Sequence, residues 1–439
     1  MAPLILYTLR FIMKSQELLL TAMLRSALVI AALVGGFFLF SLFPQERPLE
    51  TSTADFVQDY LIARAVLEGE NPYQPLSDLG SRFGVKGLTF SPSANPPPFA
   101  AFLTPLGLFS YRTAALTWLT FSLACLTVSL FILFRLKPVA LIFGTLAAVA
   151  WKPIHSDLAI GQSISLVLLL MTVAWLLLRS GRELSGGAMI GLALSVKLLA
   201  WPFVLYLLIK KRYAAATLSL SVFVAANLVA MPVIGMRAVA DYYSKIGPLV
   251  SSIYRHDSLN FSVWSFGSRL LTGTHGIFAN IASTQPLVYA PGFATALTAV
   301  CVVAVLSLVL LYSIGLTFDR AFAVLVCASI VLSPTAWWFY LALTLIALRA
   351  VWEIGTVSSK LVIGIALTAP YIPPLALSAF GYSLTFTQGL LMLFPVFSLI
   401  LLSLSLLQSS KISPAITQQV IAPSACSNDS SPRGSTWHT

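Results

Sequence analysis

Long apolar runs separated by short joints that carry Lys or Arg recur from residue 27 to residue 407. They lie near 27–43, 113–134, 138–151, 163–179, 186–209, 213–235, 293–315, 320–332, 335–350, 361–379 and 386–407. Many approach the roughly 20 residues that a helix needs to cross a bilayer. Only 9% of residues are charged and 58% are hydrophobic, whereas a soluble domain carries about 25% charged residues. Too few charges remain to cover a water-soluble globule, which excludes that class. In lipid every backbone N–H and C=O must be paired internally, and helices do this within one segment. The expectation is an all-α polytopic membrane protein, a bundle of about 10–13 transmembrane helices.

The net charge of +11 forms no nucleic-acid-binding patch, because Lys and Arg sit as short flanks beside the apolar runs. Arg10, Lys14 and Arg25 precede the first run, which places the N-terminus (1–26) in the cytoplasm by the positive-inside rule. That run reads as a retained anchor, since no small-x-small cleavage site follows it. The flanks Arg135/Lys137, Arg179/Arg182, Lys210/Lys211/Arg212, Arg320, Arg349/Lys360 and Lys411 all fall inside only if 186–209 is a hairpin of two short helices. Lys197 and Pro202 favour a break there. Residues 27–407 then form a single transmembrane domain with long outer loops at about 44–98 and 236–292. The Ser-rich tail, 408–439, reads as disordered in the cytoplasm. Cys125, Cys301, Cys327 and Cys426 show no C-x-x-C spacing, so neither a disulfide nor a zinc site is indicated. No Walker loop, G-x-G-x-x-G, H-E-x-x-H or G-x-S-x-G occurs, and no cofactor or metal is called for.

Seven of the fifteen acidic residues crowd into the first outer loop: Glu46, Glu50, Asp55, Asp59, Glu68, Glu70 and Asp78. Asp55 to Gly69 has the spacing of a short amphipathic helix, with Gly69 at its C-terminal end and one face apolar, which suits the membrane surface. Asp55 and Asp59 stand one turn apart. They fit a general base that accepts a proton from an attacking hydroxyl, although spacing alone favours the plainer reading of two charges that suit a helix N-terminus. Residues 99–109 are apolar but too short for an ordinary crossing, and read as a re-entrant or half-helix segment. Lys197 lies in an otherwise apolar run, where an ammonium must find an anion or water or snorkel to the interface. The loop Tyr254–Leu271 gathers Arg255, His256, Asp257, Asn260, Ser262, Trp264 and Arg269. That mixture suits hydrogen bonding and stacking on a sugar, and also an ordinary polar loop.

Taken together, these segments resemble glycosyltransferase family 87, membrane enzymes of GT-C fold that use polyprenyl-phosphate sugars and include bacterial alpha-mannosyltransferases. Asp55, Phe56, Tyr60, Ala63, Arg64, Ala65, Gly69, Pro72 and Tyr73 match the pattern of its first loop. Gly161-Gln162, Gly191 with Lys197 before Trp201-Pro202, Asn260-Phe261-Ser262 with Arg269, and Ser333-Pro334 with Trp337 and Tyr340 follow in the expected order. Three positions depart from it: Asp59 stands where an aromatic is usual, Asn95 where Tyr is common, and Phe339 where the family has His.

The resemblance implies a single-step inverting transfer of a hexose, mannose above all, from a polyprenyl-phosphate sugar to a hydroxyl of a lipid-linked or glycan acceptor. The donor enters from the lipid, and nucleic acid is no partner. Asp55 is the implied general base, and Lys197 and Arg269 are candidates for the cations that meet the leaving phosphate, work that a metal could do instead although the sequence shows no clear metal-ligand cluster. Tyr60, Asp59, Gln162, His256, Asn260 and Ser262 complete the implied substrate site. The expected setting is the cell inner (plasma) membrane, with the site on the periplasmic side. A transporter or flippase of a lipid-linked sugar shares such a topology, although no internal repeat supports one, and Phe339 leaves room for a member that binds without turnover.

Overall fold

A computed structural model describes residues 26–42, 55–88, 90–276 and 282–408. Apart from their junction residues, the expected cytoplasmic N-terminus and disordered tail lie outside these. The chain folds as helices α1 (Ser26–Leu42), α2 (Phe56–Leu67), α3 (Leu76–Arg82), α4 (Pro97–Leu108), α5 (Tyr111–Phe134), α6 (Pro138–Ala150), α7 (Lys152–Ile160), α8 (Ile164–Arg179), α9 (Glu183–Val196) and α10 (Leu198–Ile209). There follow α11 (Tyr213–Ile234), α12 (Met236–Asp241), a single π-helical turn (Tyr242–Ile246), α13 (Gly247–Tyr254), α14 (Phe266–Leu271), α15 (Pro291–Ile314), α16 (Phe318–Val331), α17 (Trp338–Trp352), α18 (Val357–Phe380) and α19 (Phe386–Leu407). Among the described residues the only sheet is two short parallel strands, β1 (Ser283–Thr284) and β2 (Ser383–Leu384).

This is an all-α polytopic membrane protein. Five helices, α5, α11, α15, α18 and α19, are long and apolar enough to cross a membrane, and α6 with α7 makes a sixth if the pair, bent by 81°, counts as one span. Their outward faces are apolar: Val229, Phe293, Val300, Leu311 and Leu361 are all at least 65% exposed, as lipid contact requires. The other apolar runs form shorter helices of 10–17 residues.

The bundle has two chemically distinct ends. At one, the basic flanks converge: Arg349 donates to the carbonyl of Leu133 (2.7 Å), Lys210 to that of Ile314 (3.0 Å), and Arg212 to Glu183 (2.8 Å) and to the carbonyl of Leu178 (2.8 Å). Trp175 Nε1 donates to Asp319 (2.9 Å), which Arg179 also approaches (3.4 Å). At the other end lie Asp55, Gln162, Lys197 and Tyr340, linked by side-chain hydrogen bonds. Helices α8, α9 and α17 each run between these two ends, which explains how basic joints and polar loops separate.

The 186–209 run breaks at Lys197, whose extended backbone (φ −147°, ψ 133°) interrupts the helix. Arg212, just after α10, returns to Glu183 at the start of α9, so the two short helices form a hairpin with Lys197 at its tip. Small residues make the bundle tight here. A Cβ added to Gly187 or Gly191 of α9 would strike the α11 backbone at Ala215 or Ser219, and Ser219 Oγ donates to the carbonyl of Gly187 (2.9 Å), the small-residue packing typical of membrane helices.

The first outer loop departs from expectation. Helix α2 forms where the spacing placed it and ends at Glu68 with Gly69 left-handed (φ +74°), but it does not present a single free apolar face. Phe56, Val57, Asp59, Tyr60, Leu61, Ile62, Ala63 and Ala65 are all buried, so α2 is wedged into the bundle on nearly every side. Helix α4 starts and finishes against it. Asn95 bonds Asp59 (2.5 Å), and after the α4 turn Tyr60 OH donates to the carbonyl of Phe109 (2.9 Å). The apolar run from 99 to 109 thus returns to its starting side, as a re-entrant segment does.

Candidate active site

The site is built on four ends of secondary structure. Asp55 is the residue that precedes α2. Gln162 follows the left-handed Gly161 (φ +73°) that closes α7, where a Cβ would fall 2.6 Å from Phe56 Cβ. Only glycine fits both the backbone conformation and the space. Trp118 Nε1 donates to the Gly161 carbonyl (2.9 Å). Asp157, fully buried, accepts from the N–H groups of Ile164 and Ser165 (3.0 Å each), holding the start of α8. The turn therefore delivers Gln162 to a fixed place beside Asp55.

Gln162 bridges the two charged groups. Its Nε2 donates to Asp55 Oδ2 at 2.7 Å, and its Oε1 accepts from Lys197 Nζ at 2.8 Å. Lys197 Nζ also donates to Tyr340 OH (3.3 Å) and lies 4.8 Å above the Tyr340 ring and 5.7 Å from the Phe339 ring, close enough for cation–π attraction. Among the described residues Lys197 has no ion-pair partner, and one of its three N–H donors stays unused. Phe339 thus faces the ammonium and supplies a π face there.

Asp59, on the next turn of α2, is 6% exposed and accepts from Asn95 Nδ2. Burial pushes its carboxyl up to about 7, against the pull of the Asn95 hydrogen bond and Lys197 and with a further push from Asp55. Burial likewise raises Asp55 above the usual carboxylate range, while the Gln162 hydrogen bond and Lys197 hold it down. Two carboxylates one turn apart thus have different polar partners. Asp59 and Asn95, two of the three departures from the family pattern, are bonded to each other.

Beside Lys197 opens a cavity of about 320 Å³ whose wall includes Asn95, Lys197, Tyr242, Tyr243, Pro334 and Tyr340. The π-helical turn at Tyr242–Ile246 forms part of this wall, a local distortion frequent at functional sites. Among the described residues no three His, Cys, Asp or Glu side chains converge as metal ligands would.

Other residues expected at the site are held by partners outside the Asp55–Gln162–Lys197 relay. Asn260 is fully buried and spends its amide on protein: Nδ2 donates to the carbonyls of Tyr254 and Pro334 (3.0 Å each), and Oδ1 accepts from the N–H groups of Ser262 (3.0 Å) and Ala336 (2.9 Å). Ser262 Oγ donates to the Pro334 carbonyl (3.2 Å). Arg269 is 2% exposed and donates to the carbonyls of Ser258 (3.0 Å) and Asn260 (3.2 Å); burial lowers its guanidinium to about 10. Asn260 and Ser262 pin the 254–271 loop to the 334–336 turn that leads into α17, and Arg269 ties the loop to itself. His256 stacks on His275 (6.0 Å between ring centroids, 13° between planes), and burial, then His275 and Arg255, lower its pKa. Tyr60 is buried and fixes the return of α4.

Asn95 and Asp157 were not among the expected site residues. Asn95 precedes three prolines and looks like a helix stop, whereas Asp157 shows a faint capping signal in being followed by a Gly turn and a new apolar helix.

Fold and site define a helical membrane protein with a half-buried carboxylate, amide and ammonium relay at one end of its bundle. The family model described as Glycosyltransferase family 87 matches residues 94–334, more than half of the chain, and the protein belongs to that family. It is accordingly a membrane glycosyltransferase. The match spans Asn95, Gln162, Lys197 and Asn260 but not Asp55, Asp59 or Tyr340. Comparison with curated proteins and with solved structures found no match.

Proposed function

We propose that the protein transfers a hexose, mannose in the first instance, from a polyprenyl-phosphate sugar to a hydroxyl of a lipid-linked or glycan acceptor, with Asp55 as general base. The observation that carries this reading is the Asp55–Gln162–Lys197 relay. A carboxylate and an ammonium lie at opposite ends of one amide, which supports reading the first as the acceptor of a hydroxyl proton and the second as the cation for a departing phosphate.

In this reading the acceptor O–H meets Asp55. Its oxygen attacks C1 of the sugar while the proton passes to the carboxylate. The bond from C1 to the phosphate oxygen breaks, and the phosphate leaves with the electron pair toward Lys197 and Tyr340. Phosphate is already a competent leaving group, so base catalysis and electrostatic stabilisation are the main demands on the protein. An ammonium with no carboxylate partner suits this role, since it neutralises the developing charge at small reorganisation cost. Arg269, enclosed in its own loop, acts as a structural clamp.

The convergence of basic flanks at the far end supports a cytoplasmic location for that end by the positive-inside rule. The site then faces the extracytoplasmic side of the cell inner membrane, with the N-terminus in the cytoplasm. Inverted vesicles and right-side-out vesicles supplied with radiolabelled polyprenyl-phosphate mannose test this reading. Label should reach a glycolipid or glycan fraction only when the site-bearing face meets the acceptor. Absence of transfer in both vesicle types, with protein present, counts against it.

A further inference from the structure

The cavity beside Lys197 falls within the size range of small-molecule sites, which are mostly apolar with a few fixed polar groups. Leu199, Tyr242, Pro248, Val250 and Pro334 give it apolar and aromatic walls, and Asn95 stands among them as a polar side chain anchored from behind. Its Nδ2 is held by Asp59 Oδ1 at 2.5 Å and its backbone N–H donates to Ser93 Oγ at 3.2 Å. Tyr73 OH donates to the Asn95 carbonyl (3.0 Å) and Tyr242 OH to the Ala94 carbonyl (2.7 Å), the two rings packing 5.0 Å apart. Asn95 is thus preorganised before any ligand arrives.

A carboxamide offers two N–H donors and a carbonyl acceptor. Asp59 takes one donor; the other N–H and Oδ1 have no hydrogen-bond partner among the described residues. An adjacent donor and acceptor with a buried carboxyl behind them suit neutral hydroxyls better than an anion. We propose that Asn95 is a specificity-determining residue that reads a hydroxyl of the transferred sugar, with Asp59 as the positioning residue that fixes its amide. This rests on the reading of Lys197 as the seat of the donor phosphate. The sugar is one bond from that phosphate and must occupy the same cavity, which Asn95 and Lys197 both line.

The test uses purified full-length protein, the mannose and glucose polyprenyl-phosphate donors, and the monodeoxy analogues of whichever is turned over. With wild type, removal of one particular hydroxyl should lower kcat/KM by about 10–100-fold, as loss of one well-made hydrogen bond does. Asn95→Ala should lower kcat/KM for the full donor by a similar factor yet leave that one deoxy donor unchanged. Its penalty should persist for the other deoxy donors. Asn95→Ser, smaller and hydroxylated, is read in the same way and covers a failure of the alanine variant to fold. If both variants slow every donor in equal proportion, Asn95 is only a structural pin and the proposal falls while the transferase reading stands. If neither slows any donor, the proposal falls likewise. If wild type turns over neither donor, the polyprenyl-phosphate reading fails and this inference with it.

Discussion

Asp55 and Lys197 are joined through a single side chain: the amide of Gln162 donates to the carboxylate at 2.7 Å and accepts from the ammonium at 2.8 Å. The amide has a unique orientation in this arrangement, because only its NH2 can serve the carboxylate and only its oxygen the ammonium. It keeps opposite charges within each other's field without letting them collapse into an ion pair, so each remains open to a substrate group.

Gln162→Leu removes both hydrogen bonds while keeping most of the volume. Transfer should fall by about 10–100-fold through loss of the aligned base and cation, with little change in melting temperature. Initial rates normalised to the amount of folded protein in detergent check this; a rate equal to wild type would separate the amide from catalysis.

The pH profile follows from the sign of the Asp55 shift. A general base works ionised, and burial raises the Asp55 pKa, so transfer should rise with pH through a limb above the usual carboxylate range. Lys197 lowers that pKa. Lys197→Met should therefore move the limb to higher pH as well as slow the maximal rate. Rate–pH profiles of the two proteins decide the matter, and a limb that moves to lower pH in the variant contradicts the electrostatics.

Asn260 should prove a structural pin. Asn260→Ala removes all four hydrogen bonds of the amide and leaves the N–H groups of Ser262 and Ala336 without their partner, at a cost of roughly 3 kcal/mol or more. Thermal unfolding in detergent should show a clear drop in stability. A variant as stable as wild type but with a raised KM would return Asn260 to the substrate-contact role.

The helical class and the break at Lys197 were legible from sequence because both are dictated by the price of polar groups in lipid. Asp55, Gln162 and Lys197 could be singled out one by one, but their union could not, since it spans separations of 107 and 35 residues that no local spacing encodes. The loop residues that look suited to a sugar, Asn260, Ser262 and Arg269, each hydrogen-bond backbone groups in the structure, as a buried loop must satisfy its own N–H and C=O groups. Helix α2 misled for a related reason. Its apolar spacing reports burial, and the sequence does not say whether lipid or protein does the burying.

The most direct test of the central claim is the transfer rate of Asp55→Asn with radiolabelled polyprenyl-phosphate mannose at matched protein levels. The substitution keeps size and a hydrogen-bonding oxygen for Gln162 but removes the basic site. The account predicts a loss of at least about 100-fold, with donor binding retained; transfer at the wild-type rate would contradict it.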